Sequence, residues 1–259
     1  MFLIIVSIPF VPVQAQSQLG IGQAVSTLRD AGGVLYGDQK RWSTFFDDFY
    51  LFNTSSWDTT AVANSASAIS VVDSLFGGNL KVTLPAIMGQ GVNLQTNFLP
   101  VRLNGSLSKP DSNGVFIEFE SKVKFNNVGE TEFLTGLAIE NESILAAQAY
   151  GLYFVKYDWT KSGKAKAGAT LYAKEIKATQ AASDSASCGT ISNNTWYRLK
   201  ITYNGKHARF YVNDVVKATL TTAANQPVGV CLKPTFECTD GDSVATYAYI
   251  DYMKVRQRR

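Results

Sequence analysis

From Val115 to Phe125 the side chains change character almost step by step: Val115, Ile117, Phe119, Val123 and Phe125 are apolar, and Glu118, Glu120, Lys122 and Lys124 are charged. A period of two places the apolar set on one face of a pleated strand and the charged set on the other. One face is dry and one is wet, and the dry face needs a second layer to cover it. Trp196 to Tyr203 repeats the pattern, with Tyr197, Leu199, Ile201 and Tyr203 set against Arg198, Lys200 and Thr202.

Short apolar runs of this kind recur, separated by Gly, Asn, Asp and Ser, at Ala68 to Val72, Asn79 to Leu84, Glu132 to Glu140, Gly151 to Trp159, Ala169 to Lys177, Ala208 to Asn213 and Tyr247 to Val255. Their spacing is that of antiparallel strands, and no comparable helical period competes with them. The composition agrees, with 46% hydrophobic and only 17% charged residues, a balance suited to half-buried strands. At 259 residues the chain is within reach of one large sandwich. Asn204-Gly205 between two of the runs predicts a type I′ hairpin turn. Residues 178 to 194, rich in Ala, Ser and Asn, predict an exposed loop.

The first residues are different in kind. MFLIIVSIPFVPVQAQSQ is apolar, but Pro9 and Pro12 interrupt it well short of the roughly 18 residues a membrane helix requires. No membrane span is expected. The run ends in Val13-Gln14-Ala15, as a secretory leader would, yet no Lys or Arg precedes Arg29. The expectation is therefore a retained arm over residues 1–41, ahead of a sandwich over 42–259. Phe2, Ile4, Ile5, Ile8, Phe10 and Val11 would be its assembly contacts, because an apolar arm needs a surface to lie on. A cleaved leader is the alternative.

A net charge of +3, much of it in Arg256, Arg258 and Arg259, leaves no basic stripe and argues against nucleic-acid binding. Cys188, Cys231 and Cys238 are an odd number and too few for a disulfide framework. Buried or loop thiols are the ordinary reading, and one bridge, for example Cys231 to Cys238, is the alternative. Four Asn-x-Ser/Thr sequons, at Asn53, Asn104, Asn141 and Asn193, are no more than chance supplies in a chain this rich in Ser and Thr.

The segment Trp196-Tyr-Arg-Leu-Lys-Ile-Thr-Tyr-Asn-Gly-Lys-His-Ala-Arg-Phe-Tyr-Val-Asn-Asp resembles the signature hairpin of laminin G-like and concanavalin A-like domains. The opening Phe46-Asp47-Asp48-Phe49 and the closing Tyr249-Ile250-Asp251-Tyr252-Met253-Lys254-Val255 resemble the same family, so the likeness spans roughly 42 to 256. It implies an all-β, two-sheet antiparallel jelly-roll sandwich of the concanavalin A-like type, here with an extended N-terminal arm.

Laminarinase-type glycoside hydrolases share that fold, and the resemblance implies their device: Glu-x-Asp-x-x-Glu on one strand of the concave sheet, bringing two carboxylates to the scissile bond. The strand expected in that place, Gly151 to Trp159, offers Asp158 alone. Glu118 with Glu120, and Glu140 with Glu142, alternate correctly but lack the third acid. No catalytic residue is assigned, and a non-enzyme is expected. The single His207 leaves little for a histidine-based triad or metal site. No cofactor is expected, though the resemblance allows calcium, for which Asp240 and Asp242 are the acidic loop pair to inspect. Tyr153, Tyr157 and Trp159 share a face of one predicted strand, where they would either stack on sugar rings or pack between the sheets.

The function expected from these features is a non-catalytic structural virion protein. It would be a capsid decoration or surface component of a tailed phage, homo-oligomeric, docked on other capsid subunits and able to adhere to surface glycans. The run Ala31-Gly-Gly-Val-Leu-Tyr-Gly-Asp-Gln, followed by Phe45-Phe-Asp-Asp-Phe, resembles such proteins. The alternatives are a secreted carbohydrate-binding lectin-like module and a laminarinase-like glycoside hydrolase.

Overall fold

A computed structural model describes most of the chain from Trp42 to Arg258, leaving out 1–41, 73–77, 98–100, 104–115, 141–143, 146–149, 158–167, 178–182, 242–243 and 259. The six arm residues, Trp159, Asp158, Glu142 and Asp242 lie outside the described residues. No helix among the described residues is long and apolar enough to cross a membrane.

The strands are β1 (Trp42–Asp47), β2 (Trp57–Val62), β3 (Ala68–Val72), β4 (Asn79–Thr83), β5 (Gly91–Thr96), β6 (Val101–Arg102), β7 (Ile117–Phe125), β8 (Thr131–Ala138), β9 (Gly151–Lys156), β10 (Thr170–Ile176), β11 (Ser183–Thr190), β12 (Tyr197–Tyr203), β13 (Ala208–Val212), β14 (Val215–Leu220), β15 (Cys231–Asp240) and β16 (Tyr247–Arg258). They form two antiparallel sheets. The first runs β14-β13-β12-β7-β16-β4-β3, with β1 also on β16. The second runs β11-β10-β9-β8-β15-β5-β2, with β6 also on β15. This is the all-β jelly-roll sandwich expected.

The period-two residues meet between the sheets. Phe125 of β7 stacks on Phe133 of β8 with ring centroids 4.2 Å apart, and Phe154 of β9 meets Phe210 of β13 edge to face at 5.2 Å. Phe236 of β15 lies 6.5 Å from Phe125. Close backbone approach also matters in the second sheet. A Cβ on Gly136 would lie 2.4 Å from the Leu152 carbonyl oxygen, so only glycine lets β8 and β9 pair there.

Two local expectations are corrected, and one alternative is set aside. The stretch 178 to 194 is not all loop: Ser183–Thr190 is strand β11, paired with β10 from Thr170↔Thr190 to Ile176↔Ser183. Its small polar residues carry no apolar alternation, and backbone pairing at the sheet edge makes it a strand. The Asn204-Gly205 turn is not a two-residue hairpin. Tyr203 pairs with Ala208, leaving four residues between, and of these only Gly205 has a positive φ, at 86°. The Asn204 side chain closes the loop by accepting from the N–H groups of Lys206 and His207 at 3.0 and 2.7 Å. The primed geometry sits instead at Asn213 and Asp214, with φ of 49° and 66° between paired Val212 and Val215. Finally, Cys231 and Cys238 cannot bridge. They stand toward opposite ends of β15, whose residues advance about 3.4 Å each, and all three cysteines are free.

Candidate functional site

Since Phe133, Phe154 and Phe236 point between the sheets, their neighbours in sequence point to the outer face of the second sheet. That face is built from Asn93 and Gln95 of β5, Thr235 and Glu237 of β15, Glu132 and Leu134 of β8, Tyr153 and Val155 of β9, and Lys174 of β10. The registers Glu237↔Asn93, Glu237↔Leu134 and Lys174↔Tyr153 align them in neighbouring rows.

Glu237 is its centre. Its Oε2 accepts from Asn93 Nδ2 at 2.9 Å and from the Ile144 N–H at 2.7 Å, and its Oε1 accepts from the Leu145 N–H at 3.2 Å. The side chain is fully buried. Burial pushes its pKa up to about 7; the three donors pull it down, and the nearby Glu132 carboxylate raises it further. Glu132 pairs with Thr239, two residues along from the Glu237↔Leu134 pair and on the same face, so the two carboxylates are diagonal neighbours on adjacent strands.

Around this pair the face is polar at one end and aromatic at the other. Gln95 Nε2 donates to Thr235 Oγ1 at 3.0 Å and to the Ile139 carbonyl at 2.9 Å. Lys174 Nζ donates to Tyr157 Oη at 2.9 Å and lies 5.6 Å from that ring's centroid. Tyr153 and Tyr157 do share a face, but it is not the inter-sheet core. They are buried on the outer side, in a cluster with Leu134, Val155 and Ile176 that Ile144 and Leu145 cover. Burial raises the Tyr153 hydroxyl pKa well above its ordinary value.

The other expected site residues are scattered. Glu118 and Glu120 sit on the outer face of the first sheet, where Lys254 and Arg256 bind Glu118 at 3.3 and 2.9 Å and the Tyr252 hydroxyl donates to Glu120. Glu140 pairs with Lys233 at 2.9 Å. His207 stands in the β12–β13 loop. Asp240 is buried as the last residue of β15, not in an open loop. Among the described residues no group of three His, Cys, Asp or Glu side chains is placed to hold a metal ion.

Glu132 and Glu237 are absent from the sequence-based assignment. Glu132 opens an expected strand, but the run Cys231–Asp240 has no clear period, and nothing in either segment announces that they pair.

No family model matches the sequence, and no curated protein matches it. Solved structures do share its fold. A glycoside hydrolase family 16 enzyme from a Bacteroides ovatus mixed-linkage glucan locus, solved with a glucan product, is 12% identical, covering 82% of this chain and 99% of its own, with a TM-score of 0.57. A glycosyl hydrolase family protein from Mycobacterium fortuitum is also 12% identical, covering 82% and 98%, with a TM-score of 0.54. A Shewanella oneidensis protein of unknown function is 10% identical, covering 93% and 95%, with a TM-score of 0.53. These likenesses establish the concanavalin A-like jelly roll that glycoside hydrolases use. They also overturn the expectation of a non-enzyme: the chain matches the whole length of catalytic proteins, so the absence of Glu-x-Asp-x-x-Glu from one strand no longer excludes catalysis. Nothing in them supports a capsid component. With 310 solved chains matching, the fold by itself names no substrate.

Proposed function

We propose that this protein is a carbohydrate-active jelly roll of the glycoside-hydrolase class, acting on glycans outside the cell. The observation that carries the reading is the Glu237–Glu132 pair on the outer face of the second sheet. Glycoside hydrolysis needs one carboxyl group to protonate the leaving oxygen and a second carboxylate to act as base or nucleophile. A carboxyl with a pKa of about 7 is half protonated at neutral pH, as a general acid should be. Glu132 supplies the second group.

The arrangement differs from the three-acid strand that the family resemblance implies, because the two acids come from neighbouring strands. Asn93 orients Glu237 from the third. For a glycosidic oxygen to reach the carboxyl, Ile144 and Leu145 must give up their hydrogen bonds to it. The buried tyrosines beside the pair are the surface that would then meet a sugar ring.

Reducing-sugar release from mixed-linkage β-glucan and laminarin tests the reading. Wild-type protein is expected to hydrolyse at least one of them, and Glu237→Gln and Glu132→Gln each to lower the rate at least a hundredfold, the usual contribution of a general acid or base being about 10²–10⁴. No hydrolysis by the wild type, or full activity in both variants, would sink it.

A further inference from the structure

The opposite sheet carries a second feature that the carboxylate pair does not use. On the outer face of the first sheet, β7 presents Lys122 and Lys124, β12 presents Arg198, and β16 presents Tyr249 and Tyr252. Just ahead of β12 lies Trp196. Lys124 Nζ stands 4.8 Å from the Trp196 ring centroid and 4.6 Å from that of Tyr249, and Lys122 Nζ stands 5.2 Å from Trp196. Beside them a groove of about 410 Å³ opens, lined by Lys122, Trp196, Arg198, Asn213, Asp214 and Tyr252. That is the size of a small-ligand site.

The charge on this face is in surplus. Its carboxylates are already held: Glu118 by Lys254 and Arg256, Glu120 by the Tyr252 hydroxyl, Asp251 by Lys122, and Asp214 by both Arg198 and Lys200. Among the described residues Lys124 engages rings and no carboxylate. The groove thus offers an aromatic wall, a hydroxyl and an amide side chain in Tyr252 and Asn213, and cations whose carboxylate partners keep contact with water, the Asp214 side chain being exposed and that of Asp251 partly buried.

We propose that this groove binds an acidic polysaccharide, one whose sugar rings carry carboxylate groups. The ring stacks against Trp196 or Tyr252, and its carboxylate exchanges with Asp214 or Asp251 for Arg198 or Lys122. Planar guanidinium suits a carboxylate in two-point contact. A nucleic acid fits less well, since the chain's net charge of +3 provides no continuous basic stripe to track a phosphate backbone. The site is independent of the chemistry assigned to Glu237.

Affinity electrophoresis of the whole protein in gels holding polygalacturonate, neutral mixed-linkage β-glucan or single-stranded DNA tests it. The expected result is retardation by polygalacturonate that weakens with added salt. Trp196→Ala and the surface variant Lys122→Gln should each weaken it roughly tenfold, a loss of about 1.4 kcal/mol, and Glu237→Gln should leave it unchanged. Circular dichroism confirms folding, and if Trp196→Ala is unfolded, Lys122→Gln and Arg198→Gln decide. Absence of retardation, equal retardation by the neutral glucan, tighter retention by DNA, or retardation indifferent to the groove variants would each overturn the proposal. Loss of glucan hydrolysis in Glu237→Gln with polygalacturonate binding intact separates this site from the other.

Discussion

Asn93 and Glu237 are 144 residues apart in the chain and hydrogen-bonded at 2.9 Å, on strands β5 and β15 that no turn connects. This bond holds the Glu237 carboxyl in one orientation, and it is one of three contacts that favour its charged form. Replacing Asn93 by Leu should therefore raise the Glu237 pKa above about 7. It should cost roughly 1.5–3 kcal/mol of stability, as expected for a hydrogen bond to a charged group. Carboxyl chemical shifts followed through a pH titration, together with urea unfolding, check both.

Glu175 of β10 weakens the fold as pH rises from acid toward neutrality. It is fully buried, neither of its carboxyl oxygens has a hydrogen-bond partner among the described residues, and it pairs across the strand with Asp184. Burial first, then the Asp184 charge, pushes its pKa up to about 8 from the ordinary 4.5. The folded state therefore keeps this proton where the unfolded chain has lost it. Stability falls as pH rises from about 4.5 to about 8, by at most about 5 kcal/mol. Glu237 adds a fall in the same direction between 4.5 and about 7. Glu175→Gln should flatten most of the decline when denaturation midpoints at pH 5 and pH 8 are compared. An unchanged slope would mean that Glu175 is not the group responsible.

Gly136→Ala should prevent β8 and β9 from closing, since the added methyl would meet the Leu152 carbonyl oxygen at 2.4 Å and Tyr153 Cα at 2.6 Å. Backbone cannot yield as a flexible side chain can, so a loss of more than about 3 kcal/mol is expected. Thermal melting reads it directly. Gly168, with no atom of the described residues within 4 Å of its added Cβ, is a control for crowding, though its φ of 92° strains any L residue.

Phe236→Ala should remove about 3–5 kcal/mol, because the ring is fully buried between the sheets beside Phe125. Its neighbour Glu237 faces the opposite way. The variant should thus lower the melting temperature and leave the glucan-hydrolysis pH profile in place, whereas Glu237→Gln should alter the profile.

Much of the architecture could be read from the amino acids alone. The alternation in Ile117–Phe125 and Tyr197–Tyr203 places each residue on its face because strand geometry has a period of two, and Ala68–Val72 is delimited by the same signal. Those rules are local. They fail where stability comes from a partner rather than from the strand itself: β11 has no apolar face, and Cys231–Asp240 has buried residues on both faces, so its period is hidden.

The candidate site was the least legible part for the same reason. Local sterics and hydrophobic burial act on near neighbours, and so the amino acids in order suffice for an all-β sandwich with a known dry side on its most regular strands. That β8 and β15 lie side by side is a property of the folded chain alone. That pairing gathers Glu132 and Glu237 from segments about a hundred residues apart, and it sets Ile144 and Leu145 over the tyrosines. Carboxylate chemistry depends on separation and burial in space, and neither is encoded in the spacing of residues along the chain.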